Sequence, residues 1–269
     1  MITFLFSREL ATEEKQPKRK TDGAGFLRVL KELVTNQYWV EYVVALLSIT
    51  ISNVVIMGSA VYYAQFILGD AYSYASLSTA LYIAMFLGVI ATSIFIKKIG
   101  KRNTVIIGIV IMMLGTVLSG LLPQTVGNAT VTLAIRGFGV GFPSALGAAM
   151  LQDTLTYGKW KSGIDMVGMG NAASSFCMKI GGGLGTAIIG WALALGGLDA
   201  TQAVQGAGVE RAIMVTFIWL PLVFMAVALM CFIAYRLDQK YSGYLSDLSM
   251  GKYGPNATVP ESKPAAPEE

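Results

Sequence analysis

An all-α, polytopic membrane protein is the fold class this sequence predicts, and three observations carry the prediction. Hydrophobic letters make up 54% of the 269 residues against 13% charged, with a mean hydropathy of +0.60, far from the composition of a soluble domain. The apolar residues gather into six long segments, each about as long as a bilayer crossing requires. The basic residues fall almost wholly in the connections on one side of those segments, as membrane topology demands.

Taken in order, Met1–Phe6 reads as the end of a preceding membrane helix, and Ser7–Asp22 as a charged, solvated linker. From Gly25 to Thr35, Phe26, Leu27, Leu30, Leu33 and Val34 recur at helical spacing between Arg28, Lys31 and Glu32, the pattern of a short amphipathic helix lying on the membrane surface. The first apolar segment is expected at Tyr42–Leu68, the second at Ala75–Ile96 and the third at Asn103–Leu122, ending at Pro123. The fourth is expected at Thr130–Leu151, with Arg136 inside it, and a short polar turn from Asp153 to Gly163 then leads to the fifth at Asp165–Leu195. The sixth is expected at Arg211–Leu237 and contains Pro221. The chain thus divides into residues 1–38 (helix end and linker), residues 39–237 (the six-helix bundle) and residues 238–269. That last stretch ends in PNATVPESKPAAPEE, too rich in proline and charge to fold alone, and is expected to be a mostly disordered tail.

Orientation follows from the lysines and arginines. Seven precede Tyr38, four occupy the turn Lys97–Arg102, Lys159 and Lys161 lie between the fourth and fifth segments, and Arg236, Lys240, Lys252 and Lys263 follow the sixth. That side is expected to be cytoplasmic, which places both termini on the cytoplasmic side of the membrane. Basic residues so distributed serve topology, not nucleic-acid binding. The chain has no histidine, and its two cysteines, Cys177 and Cys231, lie in apolar segments. These absences exclude His-based triads and His zinc sites and leave no disulfide or metal framework implied by cysteine. There is no phosphate-binding glycine loop. Composition therefore points away from enzymatic chemistry, and no metal or cofactor site is expected; the partner it implies is the lipid bilayer.

Lys179 stands out, midway along the fifth segment. A cation at mid-bilayer costs about 2.5–3.5 kcal/mol on insertion scales and usually lies on a pathway or has a partner. Two roles fit it: a transport residue, or a structural lysine that pairs within the fold or snorkels to an interface. No Asp or Glu lies at its depth, so a counter-charge would come from a substrate or a second polypeptide. On a helical wheel Ala172, Ser175, Phe176, Gly182, Gly183 and Thr186 share its face, small and polar enough to line a water-filled cavity. Gly137/Gly141 and Gly181/Gly185 stand at four-residue spacing, which lets helices approach closely; ordinary packing and a flexible cavity wall both fit the second pair.

The run DTLTYGKWKSG from Asp153 to Gly163 resembles the loop between helices 10 and 11 of the glycoside–pentoside–hexuronide:cation symporter family. This family is the melibiose-permease-like branch of the major facilitator superfamily, in which a lysine follows midway along the next helix, as Lys179 does here. Tyr62-Tyr63 before Phe66-Ile67-Leu68-Gly69 is similar to the family's helix 7 ending, Ile99-Gly100-Lys101-Arg102 to the superfamily's turn between helices 8 and 9, and Tyr235-Arg236-Leu237-Asp238 with Tyr241 to the exit from helix 12. The resemblance implies helices 7–12 of a twelve-helix bacterial inner-membrane transporter, the C-terminal half of a cation-coupled symporter for a small sugar, glycoside or uronide, inactive without an N-terminal six-helix half. It implies substrate or coupling roles for Lys179, Asn53, Tyr62 and Tyr63, although an interfacial aromatic belt explains the two tyrosines equally well. It also implies a cytoplasmic gate of Asp153, Tyr157, Lys159, Lys161 and Asp165, closing by ion pairs with the opposite bundle; a solvated loop is the other reading of these residues. The coupling cation, Na⁺ or H⁺, would be bound by acids outside this chain. Two departures are visible: Ile164, Asp165 and Val167 replace the family's residues after the loop, and the fourth segment lacks the tryptophan that melibiose permease carries there. A half-transporter subunit with a separate partner chain, and a remnant that transports nothing, are the alternatives.

Overall fold

The computed structural model describes residues 23–254 apart from 200, 203 and 204, and every described regular element is helical. The expected helix end and most of the linker, residues 1–22, and the end of the tail, residues 255–269, lie outside the described residues.

The amphipathic helix is present as α1, Gly23–Val34. Leu33 is fully buried while Phe26 and Leu27 face outward, as a helix seated at an interface requires. Asn36 stops it and starts the next. Its side-chain oxygen accepts the Trp39 N–H at 3.2 Å, and its amide donates to the Thr154 carbonyl at 2.8 Å. One N-cap therefore also ties the first span to the fourth.

The first span is α2, Gln37–Tyr62, continued by a π-helical turn, Tyr63–Ile67. The second and third form one assigned helix, α3, Ser73–Leu121, whose 49 residues would run about 74 Å if straight, more than twice the ~30 Å hydrocarbon core. It is not straight. Gly100, at φ 80 and ψ 172, adopts a conformation that L side chains avoid and breaks α3 among the basic residues Lys97, Lys98, Lys101 and Arg102. Contacts with the fourth span show that the chain reverses there. Leu81 meets Gly137 and Met85 meets Gly141, so the second span runs parallel to the fourth; Gly108 meets Phe142 and Gly115 meets Thr132, so the third runs antiparallel. Six crossings result.

The fourth span, α4, Val126–Ser162, begins at the Thr125 cap and ends at Gly163, in the left-handed conformation at φ 71. Here the expected polar turn is corrected: Asp153 to Ser162 is helix, and only residues 163–166 connect to the fifth span. The stretch reads as a loop because it is polar. Yet it holds no proline, its one glycine, Gly158, stays helical where it packs closely against Met166 and Asn36, and the Thr154 and Thr156 hydroxyls donate back to the Leu151 and Gln152 carbonyls, satisfying themselves within the helix. A helix that leaves the bilayer turns polar without ending.

The fifth span is α5, Val167–Gly196. Its buried residues Gly170, Ser174, Gly181, Gly185, Ile189 and Leu193 form a single stripe; Gly181 lies against Leu47 and Thr50, and Gly185 against Val54, all on the first span. The sixth span is α6, Ala207–Met214, a π-helical turn, Val215–Trp219, and α7, Leu220–Ala234. The first span lies between the fifth and sixth, and the fourth lies against the second and third.

The tail also needs correction. Leu237–Gln239 forms a 3₁₀ turn and Tyr241–Ser249 a helix, α8. Tyr244 packs on Trp160 (ring centroids 4.4 Å) and Tyr157 (5.1 Å), and the Gly254 N–H donates to the Trp160 carbonyl at 2.9 Å. Charge counts missed this because two aromatic side chains suffice to dock a short helix.

Candidate functional site

A cavity of about 290 Å³ opens between the first, fourth and fifth spans, with Val105 and Phe232 also in its lining. Asn53 lines it, together with Tyr42, Thr50, Ser144 and Met178. Among the expected substrate residues, Asn53 alone reaches it. Tyr63 is buried at 2% exposure, its hydroxyl hydrogen-bonded to the Gln124 side chain and its ring stacked on Phe217 at 4.3 Å. Tyr62, the last residue of α2, is half-buried outside the cavity. Packing, not ligand contact, occupies Tyr63.

Lys179 and its wheel neighbours do not enclose the cavity. Lys179, Ala172, Ser175, Phe176, Gly183 and Thr186 are all exposed, with Gly182 half-buried. A helical wheel groups residues on one face without saying what that face meets. The glycine stripe goes inward against the first span, so Lys179 points outward, onto an open face of the bundle. It forms no ion pair with the described residues.

The basic end of the bundle is organised by pairs internal to it. Lys101 pairs with Asp153 at 2.5 Å and lies 5.2 Å from the centre of the Tyr241 ring. Arg102 donates through Nε to the Phe232 carbonyl at 2.8 Å and through Nη2 to the Ile233 carbonyl, closing the last turn of α7 with a cation, the favourable sign at a helix C-terminus. Asp238 accepts the Arg102 backbone N–H at 2.9 Å. Lys159 pairs with Asp165 at 3.1 Å, and Lys161 donates to the Thr35 carbonyl at 3.0 Å. Tyr157 sits edge-on to Tyr38 at 4.8 Å and against Trp160 and Tyr244. The expected gate residues thus stand together at one end, but the ion pairs of Asp153, Lys159 and Asp165 are made within this bundle. Partial burial pushes the Asp165 carboxyl up; the Val167 N–H and the Lys159 ammonium outweigh it and hold the group below its ordinary value.

Two features escaped the sequence reading. Arg136 is fully buried; it donates through Nη1 to the Phe217 carbonyl at 3.1 Å and lies 4.5 Å over the Phe217 ring, while its Nε and Nη2 have no partner among the described residues. The signal was Pro221, four residues after Phe217. The second is Ser144, on the cavity wall beside Pro143, which no motif marks.

Known proteins similar to this chain are transporters. Residues 1–239 match the family described as MFS/sugar transport protein. The isoprimeverose transporter of Lactiplantibacillus pentosus is 33% identical over 205 residues, 76% of this chain and 42% of the relative. The glucuronide carrier protein homolog of Escherichia coli (strain K12) is 28% identical over 217 residues, 78% of this chain and 46% of the relative. An uncharacterized symporter of Bacillus subtilis (strain 168) is 27% identical over 223 residues, 82% and 48% respectively. The chain spans about half the length of the curated relatives it matches.

Proposed function

Since the chain belongs to the MFS/sugar transport protein family, we propose that it is the C-terminal six-helix half of a cation-coupled symporter for a sugar, glycoside or uronide. In this reading it sits in a bacterial cytoplasmic membrane with both termini inside, and works by alternating access against an N-terminal six-helix half. The observation that carries the proposal is the open face of the fifth span. Lys179 is exposed there beside Ser175, Gly183 and Thr186 and the larger Phe176 and Met178, although a lysine at that depth is costly against lipid. An opposing bundle would cover it, exclude lipid and supply its counter-charge directly or through the substrate.

Lys179 then senses occupancy of the central site by charge, and Asn53 offers its amide to substrate hydroxyls. Tyr62 stands at the far end of the first span as an interfacial aromatic. The cluster of Asp153, Tyr157, Lys159, Lys161 and Asp165 acts as the inner gate by exchanging partners: closure against the other half recruits charges now held in the Lys101–Asp153 and Lys159–Asp165 pairs. The coupling ion, Na⁺ or H⁺, is held by acids of the other half.

Uptake by Lys179→Ala, measured beside the unsubstituted protein in a polypeptide or co-expressed pair that transports, tests this reading. Loss of coupling or of substrate affinity is expected. Unchanged uptake, ion dependence and affinity would make Lys179 structural. Co-purification of a second six-helix chain would make the protein an assembly subunit; absence of transport in every combination would mark a non-transporting remnant.

A further inference from the structure

The cavity beside Asn53 has a chemistry that selects among sugars. Its polar groups come from the first and fourth spans and divide into two kinds. The Tyr42 hydroxyl donates to the Gly147 carbonyl at 2.9 Å, and the Thr50 hydroxyl to the Leu46 carbonyl at 2.7 Å. Both keep lone pairs, so each can only accept from a ligand. The Asn53 amide and the Ser144 hydroxyl make no hydrogen bond with the described residues, and each can donate and accept. Two uncommitted bifunctional groups thus border one cavity from different helices, beside apolar lining that includes Met178 and Phe232.

Charge is what the lining lacks. Among the described residues, no Asp, Glu, Lys or Arg borders the cavity. Met178 lines it, but Lys179 projects about 100° further round the helix and stays outside. A carboxylate or sulfonate bound against this lining would give up water without meeting a cation from it. A neutral ring with hydroxyls on its edge and C–H groups on its face meets hydrogen-bonding groups and apolar surface alike. The volume, about 290 Å³, is at the lower end for small-molecule sites and suits one ring better than a whole oligosaccharide.

We propose that this cavity is a subsite for one neutral, hydroxylated ring of the substrate, that Asn53 and Ser144 are its specificity-determining hydrogen-bonding pair, and that it excludes anionic rings such as uronides. The proposal rests on the transport reading above and narrows its substrate class.

The test uses Ser144→Cys in a Cys177→Ala/Cys231→Ala background, in native membranes, with Val131→Cys on the outer surface of the same span as the lipid-facing control. A hydrophilic maleimide is expected to label position 144 at least about tenfold faster than position 131. Maltose, lactose and xylobiose supply the neutral rings, glucuronic acid and phenyl glucuronide the anionic ones. At least one neutral sugar is expected to slow labelling by about threefold or more, with no effect of either uronide. Equal or better protection by a uronide overturns the proposal, as does labelling that no sugar slows, or no labelling at all. In a transporting context Asn53→Leu and Ser144→Ala are each expected to raise KM for a protecting sugar by about tenfold, the equivalent of one lost hydrogen bond, and unchanged KM overturns their role. Protection without uptake in any context would sink the transport reading and leave the subsite standing; uptake without protection would do the reverse.

Discussion

Arg136 donates from Nη1 to the carbonyl of Phe217, 3.1 Å away and on a different span. In an α-helix that carbonyl would accept the N–H of the residue four positions on. That residue is Pro221, which has none and whose ring crowds the carbonyl it follows. The sixth span answers with a π-helical turn at Val215–Trp219, a wider geometry that relieves the crowding, and Arg136 supplies the missing donor. The guanidinium also rests on the Phe217 ring, whose stacking partner is Tyr63. A sequence-distant arginine thus completes the backbone of a proline-broken helix.

Arg136 and Pro221 should therefore be energetically coupled. Arg136→Met is expected to destabilise the protein by about 2–3 kcal/mol, mostly from an unsatisfied buried carbonyl. Adding Pro221→Ala, which restores the N–H, should recover about 1 kcal/mol or more of that loss. Thermal unfolding of both single variants and the double variant in detergent gives the interaction energy; strictly additive effects would show that the proline is irrelevant to the arginine.

Two glycines of similar appearance should behave differently. A methyl on Gly141 would stand 2.5 Å from the Met85 carbonyl oxygen and 2.6 Å from the Val89 nitrogen, both backbone atoms, while a methyl on Gly183 meets nothing within 4 Å. Gly141→Ala is expected to cost about 1–3 kcal/mol by overpacking, and Gly183→Ala to be neutral or slightly stabilising through helix propensity. Equal melting temperatures for the two variants would contradict the close approach of the second and fourth spans.

The Lys101–Asp153 pair joins the turn after the second span to the end of the fourth, with Asp153 6% exposed and Lys101 26%. Removing one partner should cost more than removing both. Asp153→Asn is expected to lower stability by about 1–3 kcal/mol, and Lys101→Met/Asp153→Leu to regain part of it, since an apolar pair is often as stable as a buried ionic one. A double variant weaker than the sum of the single ones would refute the pairing.

Asp165 should report its own environment by titration. Its folded value lies below the unfolded one, so its contribution to stability is present above the unfolded value, ~3.9, and is lost as pH falls through the folded one. Its side chain is 61% exposed, so that contribution is small. The ¹³C carboxyl shift of labelled Asp165 is expected to titrate below the free aspartate midpoint, and to move back toward it in Lys159→Met. A midpoint above that of free aspartate would show burial, not the hydrogen bonds, to be in control.

What the sequence determined by itself was set by the solvent. Lipid excludes unpaired backbone and charge, so six apolar helices and their order are written in composition. Gly137 and Gly141 were visible as a ridge for the same reason, since only a missing side chain lets two helix backbones approach. The chemistry of the site was a different matter. Hydropathy sees the polarity of Asp153–Ser162 but not its helical hydrogen bonds, and a tail's charge but not the Trp160–Tyr244 contact that docks it. Only the tertiary structure decided that Lys179 faces outward and Ser144 borders a cavity, because a side chain's surroundings depend on the azimuth of each helix against its neighbours. That azimuth is fixed here by backbone contacts at Gly139 and Gly141, by the packing of Val54 on Gly185, and by the hydrogen bond from Arg136 to a carbonyl 81 residues away.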